Sequence, residues 1–249
     1  MERISGRALS EERRLLLTPG FARRAGGSVL AECGGTRVIC SASFEDRVPV
    51  WMKGSGKGWL TAEYAMLPAS SDSRISREKN LASGRTKEIQ RLIGRSLRSA
   101  VDASLLGERT ILVDCDVVDA DGGTRTTSIN GGAAAVALLL LGLRDKGVLD
   151  RSPMRGFVGA VSVGMVDGRC MCDLDYSEDS RAEVDMNVVM TSDGRFVEIQ
   201  GTAERSPFSP YDLGAMLRLA SDSIRRIGAV QAGLFSEDQL AWLFGDLKE

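Results

Sequence analysis

Thr110-Ile111-Leu112-Val113-Asp114-Cys115-Asp116-Val117-Val118, then Asp121-Gly122-Gly123-Thr124-Arg125-Thr126-Thr127-Ser128, then the apolar run from Ala133 to Leu143, form the stretch whose reading decides the fold. The first segment is rich in β-branched residues and reads as a strand. The last reads as a buried helix from about Ser128 to Leu143. Gly142 interrupts the run and Arg144-Asp145-Lys146 ends it, well short of the roughly 20 apolar residues that cross a bilayer. The glycine- and threonine-rich loop between strand and helix offers backbone amides, hydroxyls and the planar fork of Arg125 to a ligand, a donor set suited to an anion.

Working outward, Gly27–Cys33 and Thr36–Ala42 read as two strands around the turn Gly34-Gly35. Trp59–Met66 reads as another. Ile89, Leu92, Ile93, Leu97, Ala100 and Val101 recur at helical spacing and predict an amphipathic helix over Thr86–Leu105, with Arg91, Arg95 and Arg98 on another face. Downstream, strands are expected near Gly156–Val163, Arg169–Leu174, Ala182–Thr191 and Arg195–Gly201, with Asp193-Gly194 as a hairpin turn. Helices near Tyr211–Ile227 and Glu237–Phe244 close the chain. Strands followed by helices, twice over, predict an α+β fold of two halves, about 1–150 and 151–249.

Composition narrows the chemistry. The 249 residues are 43% hydrophobic and 27% charged, ordinary for a globular protein. No apolar stretch follows Met1, so no export signal is read and a cytoplasmic protein is expected. Five scattered cysteines are then read as reduced core residues. The chain contains no histidine, which excludes Ser-His-Asp and Cys-His catalysis, histidine zinc sites and a histidine general base. Chemistry is left to carboxylates, arginines, hydroxyls, main-chain amides and a metal. The net charge of −2 does not advertise nucleic-acid binding, but the arginines are clustered.

Gly54-Ser55-Gly56-Lys57-Gly58 invites a phosphate-loop reading and fails it, because Trp51 and Gly58 stand where that motif needs Gly and Ser or Thr. Ser83-Gly84-Arg85-Thr86-Lys87-Glu88 is a better anion site: Ser83 is a plausible N-cap, and Arg85 adjoins the free amides of a helix start. Asp173, Asp175, Glu178, Asp179, Glu183 and Asp185 concentrate carboxylates in one window, the hard oxygen ligands a divalent cation prefers. Glu178 and about half of the others are expected to be solvated turn residues.

At this point several long segments resemble one family. Gly54 to Tyr64, Met66-Leu67-Pro68, Ser83 to Arg95, Asp114-Cys115-Asp116-Val117, Ala120 to Thr126 and Asp179 to Asn187 are similar, in order and over nearly the whole chain, to ribonuclease PH proteins. The resemblance implies a ribosomal-protein-S5-domain-2-like fold of two mixed-sheet halves with packed helices, a single domain over 1–249 that assembles into a homohexameric ring, a trimer of dimers. It implies phosphate-dependent 3′-to-5′ trimming of precursor tRNA and other RNA, with release of nucleoside diphosphates and reversal as 3′ nucleotidyl transfer. Inorganic phosphate would be held by Arg85, Gly123, Thr124 and Arg125. The catalytic acidic pair, and the ligands for Mg2+ or Mn2+, would be Asp179 and Asp185. Arg74 and Arg77 would grip tRNA; Ala69 stands where the family commonly has a further arginine. Two other functions remain in play: a metal-dependent hydrolytic exonuclease using Asp114 and Asp116 with the later carboxylates, and a non-catalytic ring subunit that only binds RNA.

Overall fold

The computed structural model describes residue 3 and residues 5–245, so the outermost ends of the 1–249 span lie outside the described residues. In chain order the elements are β1 (Leu15–Pro19), β2 (Gly27–Cys33), β3 (Thr36–Glu45), β4 (Trp59–Met66), α1 (Arg77–Ala82), α2 (Gly84–Ser99), α3 (Ala103–Leu106), β5 (Thr110–Asp119) and α4 (Thr124–Asp145). They continue with β6 (Val158–Val166), β7 (Arg169–Cys172), α5 (Tyr176–Asp179), β8 (Val184–Thr191), β9 (Phe196–Ala203), α6 (Pro210–Ala232) and α7 (Glu237–Phe244). The α+β class is as the sequence predicts. One sheet has the order β1-β2-β3-β5-β4 and the other β7-β6-β8-β9. The first is mixed, since β4 runs parallel to β5 while the other pairings are antiparallel. All pairings of the second are antiparallel.

Helix α4 lies between the sheets, against β2, β3 and β5 on one side and β6 on the other. It is long and apolar enough to cross a membrane, but it is the inner layer of this molecule, with 89% of its most apolar window buried. Its small residues permit close approach: a Cβ at Gly131 would come within 2.7 Å of both Ala31 Cβ and Cys40 Sγ. Polar side chains inside the core fix its position. Asn130 donates to Ala160 O at 2.9 Å and accepts from Ala160 N at 2.8 Å, and Gln231 donates to Asn130 O and Val158 O at 3.1 and 3.0 Å. The Asn130 amide, paired through both its oxygen and its nitrogen, specifies one seating of helix on strand, whereas Gln231 uses only its NH2 group and its buried Oε1 has no partner among the described residues. The five cysteines are free; Cys40, Cys115 and Cys172 are buried.

Several helix limits differ from the periodicity; α6, expected to end near Ile227, runs on to Ala232. Helix α2 stops at Ser99 rather than Leu105, because Val101 bridges to Met154 and Asp102 caps α3 by accepting from Ser104 N at 2.9 Å. Helix α4 starts four residues before Ser128, at Thr124, after Gly123 in the left-handed region (φ 65°). No side chain caps that start.

The carboxylate window corrects a further expectation. Glu178 is a buried partner rather than a solvated turn residue: it is 2% exposed and accepts from Arg3 Nε and Nη2 at 2.8 and 2.6 Å. Asp173 is also buried and is held by Arg13, while Arg7 reaches Asp173, Asp175 and Glu178 at 3.4 Å each. These pairs strap the N-terminal segment across the turn between β7 and β8. A buried ion pair gains little over an apolar replacement, but losing one partner strands a charge, at about 3–5 kcal/mol. Glu178→Gln should therefore lower unfolding free energy in urea by about 2–4 kcal/mol; a loss below about 0.5 kcal/mol would show that Arg3 is not confined as described.

Candidate active site

The site is built at the seam of the two sheets. The residues Asp121 to Arg125 turn from β5 into α4, and Gly122 (φ 73°) and Gly123 (φ 65°) both occupy the left-handed region that glycine tolerates. Gly122 has a second constraint: a Cβ there would lie 2.7 Å from Leu174 O and 2.9 Å from Tyr176 N. The turn thus rests directly on the backbone that leads to Asp179. With no side-chain cap, the first-turn amides of α4 are available to an anion and carry the positive end of a 22-residue helix.

A cavity of about 490 Å³ opens over this turn, and Arg85, Gly122, Gly123, Thr124, Arg125, Asp179 and Asp185 all line it. Every residue expected at the phosphate and acidic sites therefore faces one space. Arg85 arrives from the first turn of α2, whose start Ser83 caps by accepting from Thr86 N at 3.0 Å. Arg125 is held by long contacts to Gln200 Oε1 (3.4 Å) and Glu88 Oε2 (3.9 Å), while Gln200 and Glu88 bond each other at 2.7 Å. Among the described residues Arg85 has no side-chain hydrogen bond or ion pair, and it is exposed and lines the cavity. Tyr64, buried in the core, shares a 2.9 Å hydrogen bond with Thr124 Oγ1 and so fixes the helix's first hydroxyl.

Asp179 ends α5, and Asp185 lies on β8 opposite Gly164 of β6 and Thr202 of β9. Burial raises both carboxyls above their ordinary range, against the pull of Arg85 and Arg125. For Asp185 the charge of Asp179 adds to burial and pushes the value up to about 6. Among the described residues the two carboxylates accept no side-chain hydrogen bond, and the charge of Asp179 disfavours that of Asp185.

Arg74 and Arg77 are exposed beside the cavity, in a segment whose Ser71, Asp72, Ser73 and Ile75 line it, but neither arginine lines it. Asp114 and Asp116 do not line it either. They sit on β5 by Glu63, and burial with Glu63's charge raises both; Asp116 feels Arg77 as well. Ser162, Tyr176 and Asn187 are cavity residues that the sequence does not single out. Tyr176 and Asn187 lie within two or three residues of the catalytic candidates, so proximity in the chain is the one signal that marks them.

Protonation of Asp185 is coupled to folding. Its folded pKa stands above the unfolded value of 3.8, so the folded state binds the proton more tightly and loses stability as pH rises from about 4 through about 6. Asp185→Asn removes that penalty. It should raise the melting temperature at pH 7.5, by on the order of 1–2 kcal/mol of stability after solvent screening, and the difference should vanish below about pH 4. A variant less stable than the parent at pH 7.5 would contradict the repulsion described.

Comparison with known proteins agrees with this arrangement. A model of the 3′ exoribonuclease family, domain 1, matches residues 11–141, and the model of the same family's domain 2 matches residues 156–223. The chain is 50% identical over 233 residues to ribonuclease PH of Syntrophomonas wolfei subsp. wolfei, covering 93% of this chain and 98% of that protein. Among solved structures, rice (Oryza sativa) Rrp46 superposes with a TM-score of 0.75 at 18% identity, over 94% of this chain and 100% of that one. A chain of the Archaeoglobus fulgidus exosome with RNA bound to the active site gives 0.78 at 20% identity, over 91% of each chain. At such identities the solved structures speak to the fold alone, whereas the family models and the bacterial relative speak to descent. The chain belongs to the ribonuclease PH family of 3′ exoribonucleases.

Proposed function

We propose that the chain is a phosphate-dependent 3′-to-5′ exoribonuclease in which Arg85, Gly123, Thr124 and Arg125 hold inorganic phosphate and Asp179 and Asp185 form the catalytic acidic pair. The observation that carries the reading is the sharing of one cavity by both sets of residues. A hydrolase must generate its nucleophile, but phosphate at neutral pH is already an anion and needs no histidine to deprotonate it. The difficulty is electrostatic. Two unit charges about 4 Å apart repel by roughly 4 kcal/mol at an effective dielectric near 20, so phosphate and an RNA phosphodiester cannot meet unaided. Two guanidinium groups and the amides of the α4 start offset that repulsion and orient the phosphate oxygens.

The residues present fit a hard divalent cation. Asp179 and Asp185 supply two carboxylates that already disfavour each other's charge, and Mg2+ is commonly held by one or two carboxylates with water and substrate oxygens. Among the described residues no group of three or more such ligands gathers, so water and RNA would complete the shell. A bound Mg2+ or Mn2+ would neutralise charge developing on the transferred phosphoryl group. The products are nucleoside diphosphates, which retain a phosphoanhydride bond, so the reaction runs backwards as 3′ nucleotidyl transfer.

The exposed Arg74 and Arg77 beside the cavity mouth suit a role in gripping the tRNA body through its phosphates, with Ala69 weakening that grip relative to relatives that carry arginine there. Residues 1–249 would act as one ribonuclease PH domain. We read the assembly as a homohexamer, a trimer of dimers, working in the cytoplasm on precursor tRNA and other RNA 3′ ends. The hydrolytic alternative is disfavoured because Asp114 and Asp116 stand outside the cavity. A purely structural ring subunit would have no need of the two arginines and two aspartates that converge in it.

Arg85→Ala and Arg125→Ala should each abolish phosphate-dependent trimming while leaving the protein folded and assembled. Activity that stays at the parental level across a phosphate titration would remove these arginines from the site. Asp185→Asn should depress turnover by at least about a hundredfold, the scale of a lost electrostatic stabiliser, with RNA affinity changed little. Parental rates would place the cation elsewhere.

A further inference from the structure

The carbonyls of the phosphate-site turn are as closely held as its amides are open. Thr36, at the start of β3 and fully buried, donates its hydroxyl to Gly122 O at 2.6 Å and accepts from Asp121 N at 2.8 Å. Arg13, buried before β1, donates to Asp121 O, and to Gly122 O at 3.4 Å. The same guanidinium forks onto Asp173, Nε to Oδ2 and Nη2 to Oδ1 at 2.8 Å each, while Arg13 N gives Asp173 Oδ2 a third bond at 2.7 Å. Asp173 is one of only two non-glycine residues among those described with positive φ (52°), a left-handed conformation that aspartate adopts more readily than most side-chain-bearing residues. Burial alone would raise its pKa, yet the bonds and charge of Arg13 hold it below the ordinary value. Asp173 begins the short path to Asp179.

From this geometry we infer that Thr36 and Arg13 are positioning residues for phosphorolysis: they draw the Asp121 and Gly122 carbonyls into the protein, leaving the following amides to face phosphate, and Arg13 ties that turn to the segment bearing Asp179. A peptide plane cannot turn its carbonyl inward without turning its amide outward. A turn released from these bonds samples orientations in which a carbonyl oxygen faces the cavity and repels the anion. Neither residue lines the cavity, so neither touches substrate, and their effect falls on the phosphate rather than on the RNA. The inference rests on the phosphate-site reading proposed above.

The test uses the full-length protein with a short 3′-tailed RNA and magnesium. Thr36→Val removes the hydroxyl at nearly constant volume, and Thr36→Ser restores it. The KM for phosphate should rise about tenfold in Thr36→Val, the scale of a buried hydrogen bond lost, with the KM for RNA within twofold of the parent. Thr36→Ser should return the phosphate KM to within about threefold of the parental value. Arg13→Lys, which keeps the charge without the fork, should shift the phosphate KM in the same direction, and melting temperatures identify which variants are folded. A phosphate KM unchanged in either folded variant, equal loss in Thr36→Val and Thr36→Ser, or a matching rise in the RNA KM would overturn the inference. A parent protein whose trimming ignores phosphate would instead remove the reading beneath it.

Discussion

A 22-residue helix with no polar face is stable in water only between two surfaces that cover it, and α4 is covered by one sheet on each side. That requirement sets the rest of the architecture. The run of small residues at Gly131 to Ala135 lets β2 and β3 approach closely, while the Asn130 amide fastens β6 to the other side. Because the helix is pinned along its length, its N-terminal end has one position. It opens at the seam, where residues from both halves can reach it.

Electrostatics then divides labour among charged side chains that look alike in the sequence. Arg3, Arg7 and Arg13 are consumed by Glu178, Asp175 and Asp173 and serve as internal ties. Arg85 and Arg125 have weak or distant partners and present positive charge to the cavity. Asp179 and Asp185 feel Arg85 and Arg125 across the cavity, but burial outweighs that pull for both. The protein holds the two carboxylates at some cost, visible in the raised pKa of Asp185, and a divalent cation beside them would relieve their repulsion. Binding sites are commonly found where local polar satisfaction has been withheld in this way.

Much of this was legible before the structure. The strand Trp59–Met66 and the helix Glu237–Phe244 have the limits expected from the sequence, and in the structure Ser236 caps that helix by accepting from Gln239 N at 3.3 Å. Part of the cavity lining was also readable, since Arg85 reads as part of a helix start where an anion is at home and Gly123 to Arg125 as a donor-rich loop, and all four residues line it. What escaped depends on partners far away in the chain. Nothing local to Glu178 discloses that Arg3, 175 residues earlier, will bury it. The first turn of α4 reads as loop because threonines and glycines disfavour helix, and tertiary burial overrides them. The short strand β1 carries only Leu15 and Leu17 as buried positions, too brief an alternation to distinguish from an irregular segment.

The central claim is that this cavity brings phosphate itself, rather than water, to the end of an RNA strand. Identifying the nucleotides released from a 3′-tailed RNA, with magnesium present and phosphate either supplied or withheld, tests it most directly. The account predicts nucleoside diphosphates that appear only when phosphate is supplied. Nucleoside monophosphates released at the same rate without phosphate would contradict it.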